Sequence, residues 1–179
     1  MLLISLDIIS MYTNIPLKEA ITTNIEAYHT NSFPYEINKI NTSDFRDILK
    51  LVLENNFLEF NGNFYKERIG VAQGSKCSPE IADIFMHAFE KRFLDKIPGL
   101  ILYKRYRDDI IILSEAKRLE FHSFLENLNF LHESIKFTLE MNDCELNFLD
   151  LTIYKGENFK NNGVLDQKLS LNRPKHFNT

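Results

Sequence analysis

Leu100-Ile101-Leu102-Tyr103-Lys104-Arg105-Tyr106-Arg107-Asp108-Asp109-Ile110-Ile111-Ile112-Leu113 reads as two apolar runs joined by a short charged turn. Such a pattern predicts a β-hairpin with carboxylates at its tip. A second apolar run, Leu2 to Ile9, predicts a buried strand, and it also carries a carboxylate, Asp7, near its end. Ionised carboxylates beside buried strands are costly unless a cation or hydrogen-bond donors compensate them. Each feature alone has an ordinary explanation, because Asp is a preferred turn residue. Together they mark a candidate site.

The remaining elements follow from pattern. Pro16 opens a helix that runs to about Tyr28. A polar loop, His29 to Asn41, contains Pro34. Thr42 or Ser43 caps a second helix, with Phe45, Ile48, Leu49, Val52 and Leu53 at helical spacing. Asn61-Gly62, flanked by aromatic residues, predicts a hairpin over Phe57 to Arg68. Gly70 to Ser78 is a loop of small residues, and Pro79 opens a third helix with Ile81, Ile84, Phe85, Ala88 and Phe89 on one face. A fourth helix is predicted over Ala116 to Phe130, with Leu119, Phe121, Phe124, Leu125 and Leu128 apolar. Ile135 to Met141 and Glu145 to Tyr154 predict a further hairpin around Asn142-Asp143. The element order predicts an α+β domain, an antiparallel sheet with helices packed on one face.

Composition narrows the function. The chain has 179 residues, 44% of them hydrophobic, enough for a core, which excludes wholesale disorder. Its net charge of −4 excludes nucleic-acid binding through a uniformly basic surface. Local basic patches beside an acidic site remain compatible. Cys77 and Cys144 form no CxxC pair, and the histidines show no ligand spacing with them, so no zinc site is expected. Free thiols suit a reducing, intracellular compartment. The opening apolar run is too short for a signal peptide or a membrane span. Clustered carboxylates suit magnesium, which binds through one or two carboxylates plus substrate phosphates. Two such ions can clamp an in-line phosphoryl transfer.

These residues carry a resemblance. Ser5-Leu6-Asp7-Ile8-Ile9-Ser10-Met11-Tyr12-Thr13-Asn14-Ile15-Pro16 is similar to motif A of reverse transcriptases. Its Tyr-Thr-Asn-Ile-Pro ending resembles the Penelope-like retroelement branch, relatives of telomerase. Gly70 to Pro79, followed by Ala82 to Met86 and Glu90, resembles motif B. Arg105 to Ile110 resembles motif C, Ile135 to Thr138 with Glu140 motif D, and Leu146-Asn147-Phe148-Leu149-Asp150 the primer grip. Five motifs in order are far more specific than an Asp-Asp pair.

The resemblance implies a polymerase palm, an RNA-directed DNA polymerase joining deoxynucleotides to a primer 3′-hydroxyl on an RNA or DNA template. It implies two magnesium ions, or manganese in their place, held by Asp7, Asp108, Asp109 and the Ile8 carbonyl. Tyr12 falls at the steric-gate position. Gln73 and Gly74 would contact the incoming nucleotide, and Phe148 and Leu149 the primer end. Lys136 falls where motif D places a general acid. Arg107 stands where the pattern usually has a small residue, and Gln73 where this branch often has Met. Residues 1–179 would be a catalytic fragment, with the fingers motifs, thumb and endonuclease domain of a nuclear element lying outside it, the thumb beginning near Arg173-Pro174-Lys175. The rival reading is an inactive remnant that at most binds nucleic acid or protein. No membrane partner is expected.

Overall fold

In the computed structural model, residues 1–30 and 40–170 are described. The predicted features at Pro34 and at Arg173-Pro174-Lys175 lie outside them. The chain runs β1 (Leu2–Ile8), α1 (Met11–Asn14), α2 (Leu17–His29), α3 (Thr42–Glu54), β2 (Phe57–Phe60), β3 (Asn63–Lys66), α4 (Ser78–Glu90) and β4 (Leu100–Tyr106). It continues through β5 (Asp109–Ser114), α5 (Arg118–Phe130), β6 (Phe137–Asn142), β7 (Glu145–Phe148), β8 (Leu151–Tyr154), α6 (Glu157–Asn162) and β9 (Asp166–Leu169). The mixture of helices and antiparallel strands is the α+β architecture expected. These elements divide into two units.

The first unit holds Met1–Ile8, Ile97–Leu131 and the described residues from Lys136 onward. Its main sheet has the order β4-β5-β1-β6, and every neighbouring pair is antiparallel. Successive strand residues point to opposite faces, so the register sorts the sheet into two surfaces. Leu2, Ile4, Leu6 and Ile8 share a buried face with Ile110, Ile112 and Phe137. Leu3, Ser5 and Asp7 face the other way. There Leu3 packs with Ile111, Leu113 and Leu146, and Phe148, Ile153 and Leu165 close over this cluster. A second sheet, β7-β8-β9, supplies most of that cover.

The expected hairpin between residues 135–141 and 145–154 does not form. β6 pairs instead with β1, from Ile8↔Phe137 to Leu3↔Asn142. Asn142 Oδ1 accepts from the Cys144 and Glu145 N–H groups at 2.9 and 3.3 Å, turning the chain out of the first sheet. β7 then pairs with β8 across Leu149-Asp150. Leu149 takes a φ of 55°, and a leucine gives no turn signal there. α5 starts at Arg118 rather than Ala116, because the Lys117 N–H donates to Glu120 Oε2 at 2.8 Å. Its buried side is Phe121, Phe124 and Leu128, while Leu119 is exposed. Asn129 near its end clasps β6. Its Oδ1 accepts from the Phe137 N–H at 2.7 Å, and its Nδ2 donates to the Phe137 carbonyl at 3.1 Å. Arg118 donates to Asp143 at 2.5 Å, and that hydrogen bond holds the Asp143 carboxyl below its ordinary value.

The second unit holds Ile9–Lys96 and His132–Ile135. Tyr28 on α2 stacks on Phe45 of α3 at 4.5 Å between ring centroids. Asn24, buried on α2, donates to the carbonyls of Ala20 and of Ile81 on α4, at 2.8 and 3.4 Å. The α3 cap is Asn41 rather than the expected Thr42 or Ser43, and its Oδ1 accepts from the Asp44 N–H at 2.9 Å. Ile48 is exposed, so the apolar stripe of α3 narrows to Phe45, Leu49 and Leu53. Asn61 and Gly62, at φ 52° and 75°, make the turn of the β2–β3 hairpin. All eight strand residues of that hairpin are exposed.

Candidate catalytic site

β1 and β5 bring two of the expected carboxylates together. Asp7 is the cross-strand partner of Asp109, so both lie on one face of the sheet. Partners of this kind stand about 4.5–5.5 Å apart at Cα. The row continues to Tyr106 on β4 and Thr138 on β6. Asp108 occupies the turn, and its carbonyl accepts from the Ile8 N–H at 3.0 Å. That bond holds the hairpin tip level with the end of β1. Asp7 is exposed, and Asp108 and Asp109 are half-buried. The site therefore lies at the open end of the face that β7, β8 and β9 cover farther along.

Among the described residues, no three His, Cys, Asp or Glu side chains are gathered into a group that would hold a metal ion. The three aspartates thus do not form an all-protein cage. Magnesium does not require one, since it keeps several waters and takes one or two carboxylates plus substrate phosphates. Two oxygen donors on an exposed face fit that mode.

Tyr12, Gln73 and Gly74 lie in the second unit. Ser10, at φ 46° and ψ 48°, starts the single helical turn that carries Tyr12. Thr13 Oγ1 donates to the Ser10 carbonyl at 2.9 Å, and Asn14 Nδ2 to the Ile9 carbonyl at 3.0 Å. The Tyr12 carbonyl accepts from the Val71 N–H at 2.7 Å, which locks this turn to the Gly70–Ser78 loop. Gly70 permits the approach. It has φ 86°, and a Cβ there would stand 2.7 Å from the Thr13 Cα and carbonyl oxygen. Nothing in the sequence marks Gly70 for this contact. Gln73 and Gly74 are exposed, and Gly74, at φ 98°, has open space where a Cβ would stand. Ser78 Oγ, buried at the start of α4, donates to the Ala72 carbonyl at 2.6 Å and closes the loop.

Phe148 and Leu149 are half-buried at the end of β7 and in the loop after it. Phe148 packs on the Leu3 cluster, so it belongs to the cover of the carboxylate-bearing face. Lys136 Nζ donates to the Asn129 carbonyl at 2.5 Å, a bond to the C-terminal end of α5. His132 belongs to no motif, and no spacing in the chain marks it. Its Nδ1 accepts from the N–H groups of Ser134 and Ile135 at 3.1 and 3.2 Å. Its Nε2 faces Glu19 Oε2 at 3.1 Å, and its ring stands nearly perpendicular to those of Phe85 and Phe89.

The family profile described as reverse transcriptase (RNA-dependent DNA polymerase) matches residues 1–147. The chain belongs to that family. Its fold is similar to the apo telomerase of Candida tropicalis truncated from the C-terminal domain, with a TM-score of 0.67 and 17% identity over 94% of this chain and 35% of that one. It is also similar to telomerase from Candida albicans in complex with the TWJ fragment of telomeric RNA, with a TM-score of 0.66 and 12% identity over 86% of this chain and 30% of that one. The chain thus spans about a third of the length of these telomerase chains. No curated protein matches it. Among the described residues, no helix is long and apolar enough to cross a membrane.

Proposed function

We propose that this chain is the catalytic palm of a reverse transcriptase, extending a primer on an RNA or DNA template within a longer, nuclear protein. The supporting observation is the Asp7–Asp109 register pair on an exposed sheet face, with Asp108 beside it, in a chain of this family. The Tyr12-Thr13-Asn14-Ile15-Pro16 ending favours the Penelope-like branch. The primer 3′-hydroxyl attacks the α-phosphate of a deoxynucleotide. The hydroxyl gives its proton to solvent, a P–O bond to the α-phosphorus forms, the bond from that phosphorus to the bridging oxygen breaks, and pyrophosphate leaves. Asp7, Asp108, Asp109 and the Ile8 carbonyl are the groups that would hold divalent ions. When bound, two such ions neutralise charge on the attacking and leaving oxygens. Tyr12 limits the sugar, Gln73 and Gly74 contact the nucleotide, and Phe148 and Leu149 support the primer end. Lys136 already has a structural partner, and we assign it no proton transfer.

Two measurements test this reading. Magnesium should raise the melting temperature of the wild-type chain and not that of Asp7→Asn. Labelled deoxynucleotide should join a primer on a template, and Asp7→Asn should lower the rate by about 10²–10³-fold, the usual loss when a transition-state charge partner is removed. Absence of both the magnesium shift and incorporation would overturn the reading. Primer–template binding without incorporation would leave a binding module.

A further inference from the structure

α1, Met11–Asn14, is a single helical turn, and it carries Tyr12. A helix this short makes too few internal hydrogen bonds to hold its own shape. Its last carbonyls also lack partners within the helix. Both needs are met from distant parts of the second unit. The Tyr12 carbonyl accepts from the Val71 N–H at 2.7 Å. Two residues on, the Asn14 carbonyl accepts from Ser134 Oγ at 2.6 Å, across 120 positions of sequence. A loop serine ordinarily bonds the backbone close to it. Here the hydroxyl stands 3.3 Å from His132 Nδ1 but closer to Asn14, and a carbonyl can only accept, so the proton points at Asn14.

The aim of Ser134 is set by His132. Nδ1 of that ring accepts from the Ser134 and Ile135 N–H groups at 3.1 and 3.2 Å, so the ring carries its proton on Nε2. Nε2 then donates to Glu19 Oε2 on α2 at 3.1 Å. The His132 side chain is only 8% exposed, and its ring meets Phe85 and Phe89 of α4 edge to face. Ile135 is fully buried. The four residues 132–135 are thus fixed to α2 and α4 by a buried ring, and they hold out one hydroxyl to the end of α1. Asn14 and Glu19, the two groups they grip, flank the buried Ile15 on the stretch that leads out of the Tyr12 turn.

We infer that Ser134, aimed by His132, is a positioning residue for Tyr12 and through it for the choice of sugar. The inference rests on reading Tyr12 as the gate. A ring that discriminates by exclusion must keep its place to within about 0.5 Å. Val71 and Ser134 hold the turn at two carbonyls, which removes the rotation that one alone would leave. Without the Ser134 bond the turn gives way, and the ring yields to a 2′-hydroxyl. Neither Ser134 nor His132 touches the nucleotide.

Two readouts test this in the 179-residue chain. One is amide exchange at Val71, and the other is the ribonucleotide-to-deoxynucleotide ratio of kcat/KM in single-nucleotide incorporation. Ser134→Ala should quicken exchange at Val71, beyond any change in α3, by about two- to tenfold, the worth of one neutral hydrogen bond, and raise the ratio by a similar factor. Ser134→Thr keeps a hydroxyl and should restore both. Thr22→Ala removes a hydroxyl bonded to the Lys18 carbonyl at 2.9 Å within α2, and it should leave both at wild-type values. Wild-type exchange in Ser134→Ala would overturn the inference. So would quickened exchange with an unchanged ratio, which would make Ser134 a structural residue only. Tyr12→Val separates the two readings. If it raises the ratio and Ser134→Ala does not, the gate stands and the positioning role falls. If Tyr12→Val leaves the ratio unchanged, or the chain incorporates no nucleotide, the gate and this inference fall together.

Discussion

Gly70 shows how much a single backbone position can fix. Its positive φ and its contact with the Thr13 backbone are both forbidden to other residues at no cost. Gly70→Ala should therefore destabilise the chain by about 1–3 kcal/mol, read as a lower urea midpoint. Gly62, at φ 75° with nothing within 4 Å of a Cβ, is the comparison. Gly62→Ala carries only the conformational cost and should lose less. Gly70 was visible in the sequence as a loop residue, but the approach of Thr13, nearly sixty positions away, was not. Tyr12 is singled out by its offset from Asp7 alone, and its role as a gate is an expectation. In an extending protein, Tyr12→Val should raise the ribonucleotide-to-deoxynucleotide ratio of kcat/KM by about tenfold or more, because discrimination by exclusion is lost with the ring. An unchanged ratio would make Tyr12 a packing residue.

At the scale of elements, β1 and the β4–β5 hairpin were readable because both are apolar runs with clear interruptions. Their pairing sets the Asp7–Asp109 row, so the closeness of these two carboxylates was legible in the sequence. The partner of β6 was not. A strand near a turn signal at Asn142-Asp143 pairs locally by default, and here the longer-range partner, β1, prevails. β6 gains a full register on an already buried strand, and Asn129 completes it by occupying the Phe137 N–H and carbonyl. Asn129→Ala should cost about 1–3 kcal/mol, the penalty for leaving such a donor unsatisfied. Thermal melting measures the loss. Amide exchange should quicken at Phe137 more than in β5, which has strand partners on both sides.

At the scale of the molecule, a chain of net charge −4 should hold nucleic acid weakly. Primer–template affinity should fall steeply between low and physiological salt, since phosphate contacts dominate such binding. Joining the chain to flanking segments of a parent protein should raise both affinity and primer extension. Robust processive synthesis by these 179 residues alone would contradict that expectation. The β2–β3 hairpin governs a different property. Phe57, Leu58, Phe60, Phe64 and Tyr65 all stand in water on a ribbon of two strands, each with an open edge. Such a ribbon is a template for further strands. As concentration rises, molecules should meet first through these ribbons, and turbidity should follow the state of this hairpin rather than the melting of either unit.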